Sequence, residues 1–245
     1  MILMQNKTDE QRVFDTLAQR DIYSEAYDEE YAKLFKELFS ESPFQNGKTV
    51  LDVGCGTGNN SIRLANLGYQ VTGIDLSPKS IEVAEQKALE QNRNLIFMVE
   101  DAEVTSFHPD TFDICFCGAI LHHFRNLDRV ALELFRITKK GGMVCSYDPN
   151  ALHSYSFFTH NILNKWFHLH KFYKYFSENE RALTPSDLQS AFEKAGFKDF
   201  VFTSTTLHSK KKSFHRLRNL VYYLSSRGHS NIRSGNMIVM KCKKI

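Results

Sequence analysis

The sequence VLDVGCGTG at residues Val50–Gly58 joins a short apolar run to three glycines at alternate positions. The apolar run predicts a β-strand, and glycines at this spacing let a tight turn bring the backbone close to a ligand before a helix begins. Asp52 stands two residues before the first glycine. The stretch therefore predicts a strand, a glycine turn and a helix, with a carboxylate at the mouth of the turn.

Predicted strands and helices alternate after this turn. Ser77 is a typical helix N-cap and Pro78 fits the first helical turn. The predicted strands are Thr49–Val53, Gln70–Asp75, Leu95–Val99, Phe112–Cys117 and Met143–Tyr147, and the predicted helices are Asn60–Asn66, Ser77 to Gln91 and Asp128–Lys139, with a turn at Gly141 and Gly142. This alternation predicts an α/β fold with a parallel sheet, helices on both faces, and all strand carboxyl ends at one ligand-binding edge.

The two ends of the chain follow different patterns. Apolar residues at helical spacing over 13–40 predict an N-terminal helical region. The segment 149–183 is irregular and rich in aromatic residues, and Ser186–Ala195 then reads as a helix. The last two predicted strands, Phe197–Thr206 and Asn236–Lys241, have no regular crossover helix between them, so we expect them to pair antiparallel.

The composition is that of an ordinary globular protein. Charged residues make up 24% of the 245 residues and hydrophobic residues 42%, which excludes wholesale disorder. The sequence has no uncharged apolar run long enough to predict a membrane-spanning helix. A net charge of +3 is too small to indicate nucleic acid binding. The five cysteines include no Cys-x-x-Cys pair, and the N-terminus is too polar for a secretory signal. We therefore expect buried free thiols and a cytoplasmic protein.

The glycine turn does not fit a dinucleotide. A dinucleotide-binding turn would have its third glycine at position 59, where Asn59 stands. The Asp52 carboxylate would also repel a pyrophosphate by a few kcal/mol at short range in a partly dry cleft. A ligand with a cationic amino group and no phosphate would instead be attracted.

VLDVGCGTG closely resembles motif I of the class I S-adenosylmethionine-dependent methyltransferases, in particular their type 11 small-molecule group. The resemblance covers 13–147 well and 184–206 moderately. It implies a Rossmann-like fold whose seven-stranded sheet is mostly parallel with the last strand antiparallel. It also implies a methyltransferase that binds S-adenosyl-L-methionine and releases S-adenosyl-L-homocysteine.

We expect a single methyltransferase domain over 1–245. Its expected parts are an N-terminal helical cap (1–46), a cofactor-binding core (47–148), an aromatic lid (149–183) and the C-terminal part of the sheet (184–245) with an insertion at 207–234. Neither the lid nor the insertion matches the family.

Two acidic positions organise the expected cofactor site. Asp75 ends the second strand about 20 residues past the first glycine, where a Rossmann-type fold places an acidic ligand for the ribose hydroxyls. Leu76 would pack on the adenine. It could at the same time be an ordinary apolar residue at the start of the next helix. The resemblance assigns five residues at the glycine turn to the cofactor site: Asp52, Gly54, Cys55, Gly56 and Gly58.

The resemblance implies further cofactor contacts. Asp101 would accept a hydrogen bond from the adenine amino group and the Ala102 amide would meet the ring, with a solvated loop carboxylate as the alternative for Asp101. Cys117 and Gly118 would present a backbone carbonyl to the methionine ammonium, without thiol chemistry. Tyr23 would belong to the N-terminal aromatics that close over the methionine end.

The candidate catalytic residues follow the fourth and fifth strands. His122 and His123 lie at the binding edge, and an imidazole titrates near neutral pH, so either could remove a proton from the acceptor; the alternative is that they shape the cofactor pocket. Asp148 could orient an acceptor hydroxyl or amine. No second ligand stands at metal spacing to Asp148, so we expect no metal.

The unmatched segments bear on the acceptor and on alternative functions. An aromatic lid would suit a small apolar or aromatic acceptor methylated at O, N or C, unless its rings only pack on one another. The basic and apolar residues of 210–224 could contact a membrane surface, with a solvated surface helix as the alternative. An RNA or protein methyltransferase and a non-catalytic S-adenosylmethionine-binding protein remain as rivals, and a nucleotide oxidoreductase is the weakest. Nothing in the sequence indicates an oligomeric state.

Overall fold

Seven strands form one sheet in the computed structural model, which describes residues 7–18, 28–39, 47–153, 156–157, 162, 180–207, 232 and 235–245. The strands are β1 (Thr49–Val53), β2 (Gln70–Asp75), β3 (Ile96–Val99), β4 (Phe112–Gly118), β5 (Thr138–Pro149), β6 (Lys198–Thr205) and β7 (Met237–Lys243). Their order across the sheet is β3-β2-β1-β4-β5-β7-β6.

The pairing of the strands confirms the expected fold class. Strands β1 to β5 pair in parallel, whereas β7 is antiparallel to both of its neighbours, β5 and β6. Because β1, β2, β4 and β5 run in the same direction, their carboxyl ends meet at one edge of the sheet. That edge holds the glycine turn and the candidate catalytic residues.

Helices lie on both faces of the sheet, as expected. Within the described residues the α-helices are α1 (Lys7–Ala18), α2 (Asp28–Phe39), α3 (Asn59–Asn66), α4 (Pro78–Glu90), α5 (Leu127–Ile137) and α6 (Pro185–Ala195), and Leu121–His123 is a 3-10 helix. Helices α5 and α6 share one apolar cluster with the sheet, and α2 and α3 share another. Helix α4 packs over β2 and β3.

The boundary between α5 and β5 corrects the sequence prediction. The helix ends at Ile137, not at Lys139, and the strand already begins at Thr138. The extended backbone at Thr138 ends the helix, and the Thr138 hydroxyl donates to the Leu134 carbonyl at 2.6 Å. The expected glycine turn is part of the strand, where Gly142 lies so close to β4 that a Cβ would approach the Asp113 carbonyl oxygen to 2.7 Å.

The predicted cap of α4 is confirmed, and α6 begins at Pro185, one residue before the predicted start. Ser77 caps α4 by accepting a hydrogen bond from the Ser80 amide at 2.9 Å. At α6, the Thr184 hydroxyl oxygen accepts from the Asp187 amide at 3.1 Å and the Asp187 carboxylate accepts from the Thr184 amide at 2.8 Å. This reciprocal capping box fixes the start of the helix that leads into β6.

Replacing Thr184 with alanine removes one half of this capping box. We expect T184A to lower the free energy of unfolding by about 1 kcal/mol, because one amide in the first turn of α6 loses its acceptor. Urea unfolding followed by circular dichroism measures the change. The control is S190A, at an exposed position of the same helix. Equal stability of T184A and S190A would contradict the proposed capping role.

Candidate functional site

The glycine turn after β1 is built for close approach to a ligand. Gly54, Gly56 and Gly58 have φ values of 66°, 52° and 79°, a region that side chains disfavour. A Cβ on Gly54 would lie 2.5 Å from Ile120 Cγ1, and one on Gly58 would lie 2.9 Å from the Ala84 Cβ. A Cβ on Gly56 would meet no atom within 4 Å, so Gly56 borders open space. The outer glycines therefore serve packing, whereas the middle one has open space on the side where a side chain would lie.

Asp75 is fixed at the end of β2 by the backbone around it. Its Oδ2 accepts from the Gly56 amide at 2.9 Å and its Oδ1 accepts from the Ser77 amide at 2.8 Å. Burial raises the pKa of the Asp75 carboxyl, and these amide bonds partly oppose the shift. Each carboxylate oxygen retains capacity for a further hydrogen bond. The structure thus brings Asp75 to the glycine turn, as its spacing in the sequence suggests.

Asp52 lies deeper in the site than the sequence suggests. It is 1% exposed, and the Ser61 hydroxyl of α3 donates to its Oδ2 at 2.6 Å. Burial raises the pKa of Asp52 to about 7, and the nearby Asp75 charge adds to the shift. A cation beside these two carboxylates would be attracted and would favour the ionised form of Asp52. Ser61 carries no motif that identifies it, so sequence reasoning missed this partner.

The loop after β3 presents Asp101 next to a partner from α1. Asp101 Oδ1 accepts from the Glu103 amide at 3.0 Å, and its Oδ2 forms an ion pair with Lys7. The Lys7 ammonium also lies 2.5 Å from Glu103 Oε2. Ala102 between them is buried. A ligand that uses Asp101 must therefore share this carboxylate with Lys7.

Helix α1 contacts the segments that follow three strands of the sheet, β2, β3 and β4. Besides the Lys7 contacts after β3, Asp15 accepts from the Ser77 hydroxyl at 2.5 Å after β2. The Phe14 ring packs edge-on against His123 after β4, with ring centroids 5.2 Å apart. The helix thus covers the strand ends that hold the expected cofactor residues.

The end of β4 is tightly packed. Cys117 is fully buried, and burial raises the pKa of its thiol well above the usual value, so it carries no thiolate. A Cβ on Gly118 would come within 2.8 Å of Asn60 Nδ2, which in turn donates to the Tyr147 hydroxyl at 3.2 Å. Leu76 is half-buried beside Asp75.

His122 and Asp148 form a buried pair between β4 and β5. His122 Nδ1 lies 2.9 Å from Asp148 Oδ1, which also accepts from the His122 amide at 3.1 Å. Asp148 is fully buried, and its Oδ2 has no hydrogen-bond partner among the described residues. Burial raises the pKa of Asp148 well above its usual value. The geometry orients the His122 ring and leaves Nε2 as the nitrogen for contacts away from Asp148.

His123 lies beside this pair, with its ring tilted by 41° to that of His122, and faces two glutamates. The two histidine ring centroids are 4.1 Å apart. His123 Nδ1 lies 3.4 Å from Glu10 Oε2 of α1, and Nε2 lies 3.9 Å from Glu180 Oε1. Burial lowers the pKa of His123, but the Glu10 bond and the nearby carboxylates outweigh it and raise the pKa overall. Neither glutamate stands in a recognisable motif, so the sequence did not indicate them.

Several predicted features lie outside the described residues. These are Tyr23, the basic segment 210–224, most of the expected lid at 149–183 and most of the insertion at 207–234. Among the helices that the structure does describe, none is both long enough and apolar enough to cross a bilayer.

Comparison with known families and proteins agrees with this geometry. The family model for a type 11 methyltransferase domain matches residues 51–146. The ubiquinone biosynthesis O-methyltransferase of Coxiella burnetii strain RSA 331 is 29% identical over 184 residues, which cover 75% of this chain and 78% of that protein. A protein of the same name from Albidiferax ferrireducens is 40% identical over 100 residues, or 40% of each chain.

Solved structures share the fold at low sequence identity. The 4+2 cyclase SpnF has a TM-score of 0.67 at 16% identity, and the match covers 100% of this chain and 97% of that one. Haemonchus contortus phosphoethanolamine N-methyltransferase 2, solved with S-adenosylmethionine, has a TM-score of 0.65 at 18% identity, with 96% of this chain and 57% of that one covered. These likenesses establish the fold alone.

The sheet order, the glycine turn with its buried carboxylates, and the family match lead to one conclusion. This chain is an S-adenosylmethionine-dependent methyltransferase with the class I fold, and S-adenosylmethionine is its cofactor.

Proposed function

We propose that this enzyme methylates an oxygen atom of a small apolar or aromatic molecule. The observation that carries the proposal is the pairing of two buried carboxyl groups at the cofactor edge, Asp52 and Asp75, with a buried cluster of histidines and carboxyl groups beside it. The choice of oxygen, and of a quinone-like acceptor, follows the name of the ubiquinone biosynthesis O-methyltransferases that the chain resembles.

The residues at the strand ends fit the cofactor. The open space at Gly56 leaves room for a ligand against the backbone, and Asp75 offers two oriented oxygens to the ribose hydroxyls. Asp101 and the Ala102 amide would meet the adenine, with Leu76 on its face. Gly118 and the buried Cys117 would offer backbone to the methionine ammonium, and Asp52 would balance its charge. The assignments of Gly54, Cys55, Gly58 and Tyr23 to the cofactor site remain predictions.

The acceptor side of the site lies at the ends of β4 and β5. When bound, S-adenosylmethionine supplies a methyl group on a positively charged sulfur. The chain itself must hold the acceptor in line, exclude water and manage the acceptor's proton. His122, which contacts Asp148, and His123, which lies between Glu10 and Glu180, would serve for that task, and these contacts support the proposal.

The state of the cysteines supports a prediction of the cellular compartment. All five are buried thiols without a disulfide. Thiols of this kind are typical of a reducing compartment, so a cytoplasmic location stays our prediction. Membrane contact through 210–224 also stays a prediction.

Removal of the Asp75 carboxylate tests the cofactor site. We expect D75A to weaken S-adenosylhomocysteine binding by roughly 10- to 100-fold, since a hydrogen bond to a charged group contributes about 1.5–3 kcal/mol. Isothermal titration calorimetry measures the affinity. The matched control is D113A, which removes a carboxylate bonded to Thr49 and Lys139 at the opposite end of β4. A D75A protein that binds like D113A would contradict the assignment.

The raised pKa of Asp52 predicts a pH dependence of cofactor affinity. Below a pKa of about 7 the carboxyl is protonated in the free protein, and binding a cation must then displace that proton. We expect S-adenosylmethionine affinity to rise about tenfold from pH 6 to pH 8 and then to level off. D52N should flatten this profile, whereas D113N should keep it. A wild-type profile that is flat or falls with pH would contradict the prediction.

A panel of acceptors tests the reaction itself. We expect methylated product, detected by mass spectrometry, from phenols or catechols that carry an apolar substituent, because an oxygen acceptor is proposed. Polar amines, unstructured RNA and a mixed peptide library serve as the competing classes. Turnover with RNA or peptides alone would overturn the small-molecule assignment. Cofactor binding without turnover of any acceptor would favour the non-catalytic rival.

A further inference from the structure

Three side chains beside the cofactor edge lie at metal-ligand spacing. One ligand atom from each of His122, His123 and Glu180 lies within 4.8 Å of the other two. The two histidines are 7% and 5% exposed, and the Glu180 side chain is 9% exposed. Metal ions in proteins are bound by imidazole nitrogens and carboxylate oxygens converging in this way. Such a group away from bulk water differs from an exposed acidic cluster.

A carboxylate lies beside the Nδ1 atom of each histidine. Asp148 Oδ1 lies 2.9 Å from His122 Nδ1, and Glu10 Oε2 lies 3.4 Å from His123 Nδ1. Histidines that bind metals characteristically donate their second ring N–H to a carboxylate, which fixes the ring and raises the basicity of the ligating nitrogen. The His123 Nε2 to Glu180 Oε1 distance of 3.9 Å leaves room for an ion between these atoms.

The backbone fixes Glu180 relative to the histidines. The Arg181 amide donates to the His122 carbonyl at 3.3 Å, and the Leu183 amide donates to the Pro149 carbonyl at 2.8 Å. Leu183 also forms a parallel bridge with Asn150, just past β5. The segment that carries Glu180 is thus attached to the same strand ends as the histidines. The convergence of the three side chains is therefore a property of the fold.

Charge balance also favours a cation here. The carboxylates of Glu10, Asp148 and Glu180 converge on two imidazoles, and the Asp148 Oδ2 is buried without a partner among the described residues. Positive charge at this position would be attracted to the ionised carboxylates, because charges away from bulk water are weakly screened. A divalent ion would supply that charge while both imidazoles stay neutral.

We propose that His122, His123 and Glu180 bind one divalent transition-metal ion, with zinc as the expected ion. Two imidazoles and one carboxylate suit zinc, and three protein ligands leave a coordination position open. This departs from the expectation of no metal, because Glu180 lies far from both histidines in the sequence and meets them only in the fold. A further part of the proposal rests on the proposed function: the open position would take the acceptor oxygen and favour its deprotonated form.

Metal titration of the chelator-treated full chain tests the proposal. We expect one zinc ion per chain by calorimetry, and visible absorption bands on adding cobalt that zinc then abolishes. H123Q and E180Q should each weaken zinc binding by more than tenfold, because each removes one of three ligands. The control is H108Q, which changes an exposed histidine outside the cluster. Circular dichroism and S-adenosylhomocysteine binding check that the variants fold.

The outcomes separate this proposal from the proposed function. Absence of zinc binding by the wild-type chain, or equal binding by H108Q, H123Q and E180Q, would overturn the metal site whether or not methylation occurs. Zinc binding that both ligand variants lose would support the site even if no acceptor in the panel were methylated, because the titration uses neither acceptor nor turnover. E180Q changes a residue outside the regular elements, so it keeps the test valid if H123Q does not fold.

Discussion

Two hydrogen bonds to the Asp75 carboxylate hold the cofactor edge of the sheet together. The amides of Gly56 and Ser77 donate to its two oxygens at 2.9 Å and 2.8 Å, which joins the turn after β1 to the start of α4. Asp52 adds a second buried acid whose pKa is raised to about 7. In its ionised form, Asp52 would repel a diphosphate placed at the glycine turn and attract a cationic nucleoside that lacks phosphate. The cofactor preference of the fold therefore follows from where its carboxylates are buried.

Helix α1 completes the site from outside the sheet. Lys7, Glu10 and Asp15 contact the loops after β3, β4 and β2, respectively. The contacts are polar and link one helix to three separate loops. A ligand entering beside Asp101 or His123 must therefore fit beneath α1 or exchange contacts with it.

Local chemistry made much of this structure predictable. The spacing from the glycine turn to Asp75, the Ser77 cap and the Thr184 capping region involve residues close in sequence, so a single stretch records each one. The predicted end of α5 was wrong because Thr138 pairs with the neighbouring strand β4 and Gly142 lies close to it. Contacts between distant segments cannot be predicted from any single stretch of the sequence.

The partners that distinguish this site come from distant segments. Lys7, Glu10 and Glu180 meet the site residues only after the chain folds. Neither they nor Ser61, which follows Asp52 by nine positions, has a spacing that marks it in advance. Glu180 is the clearest case, because it lies 57 positions beyond His123 and yet joins the two histidines in a group of three side chains at metal-ligand spacing.

A binding comparison between two classes of nucleoside cofactor tests the central claim most directly. Calorimetry of the purified chain should show S-adenosylmethionine and S-adenosylhomocysteine binding one per chain, with no heat of binding for NADH or FAD. Binding of a dinucleotide together with indifference to both adenosyl compounds would contradict the electrostatic account of this edge.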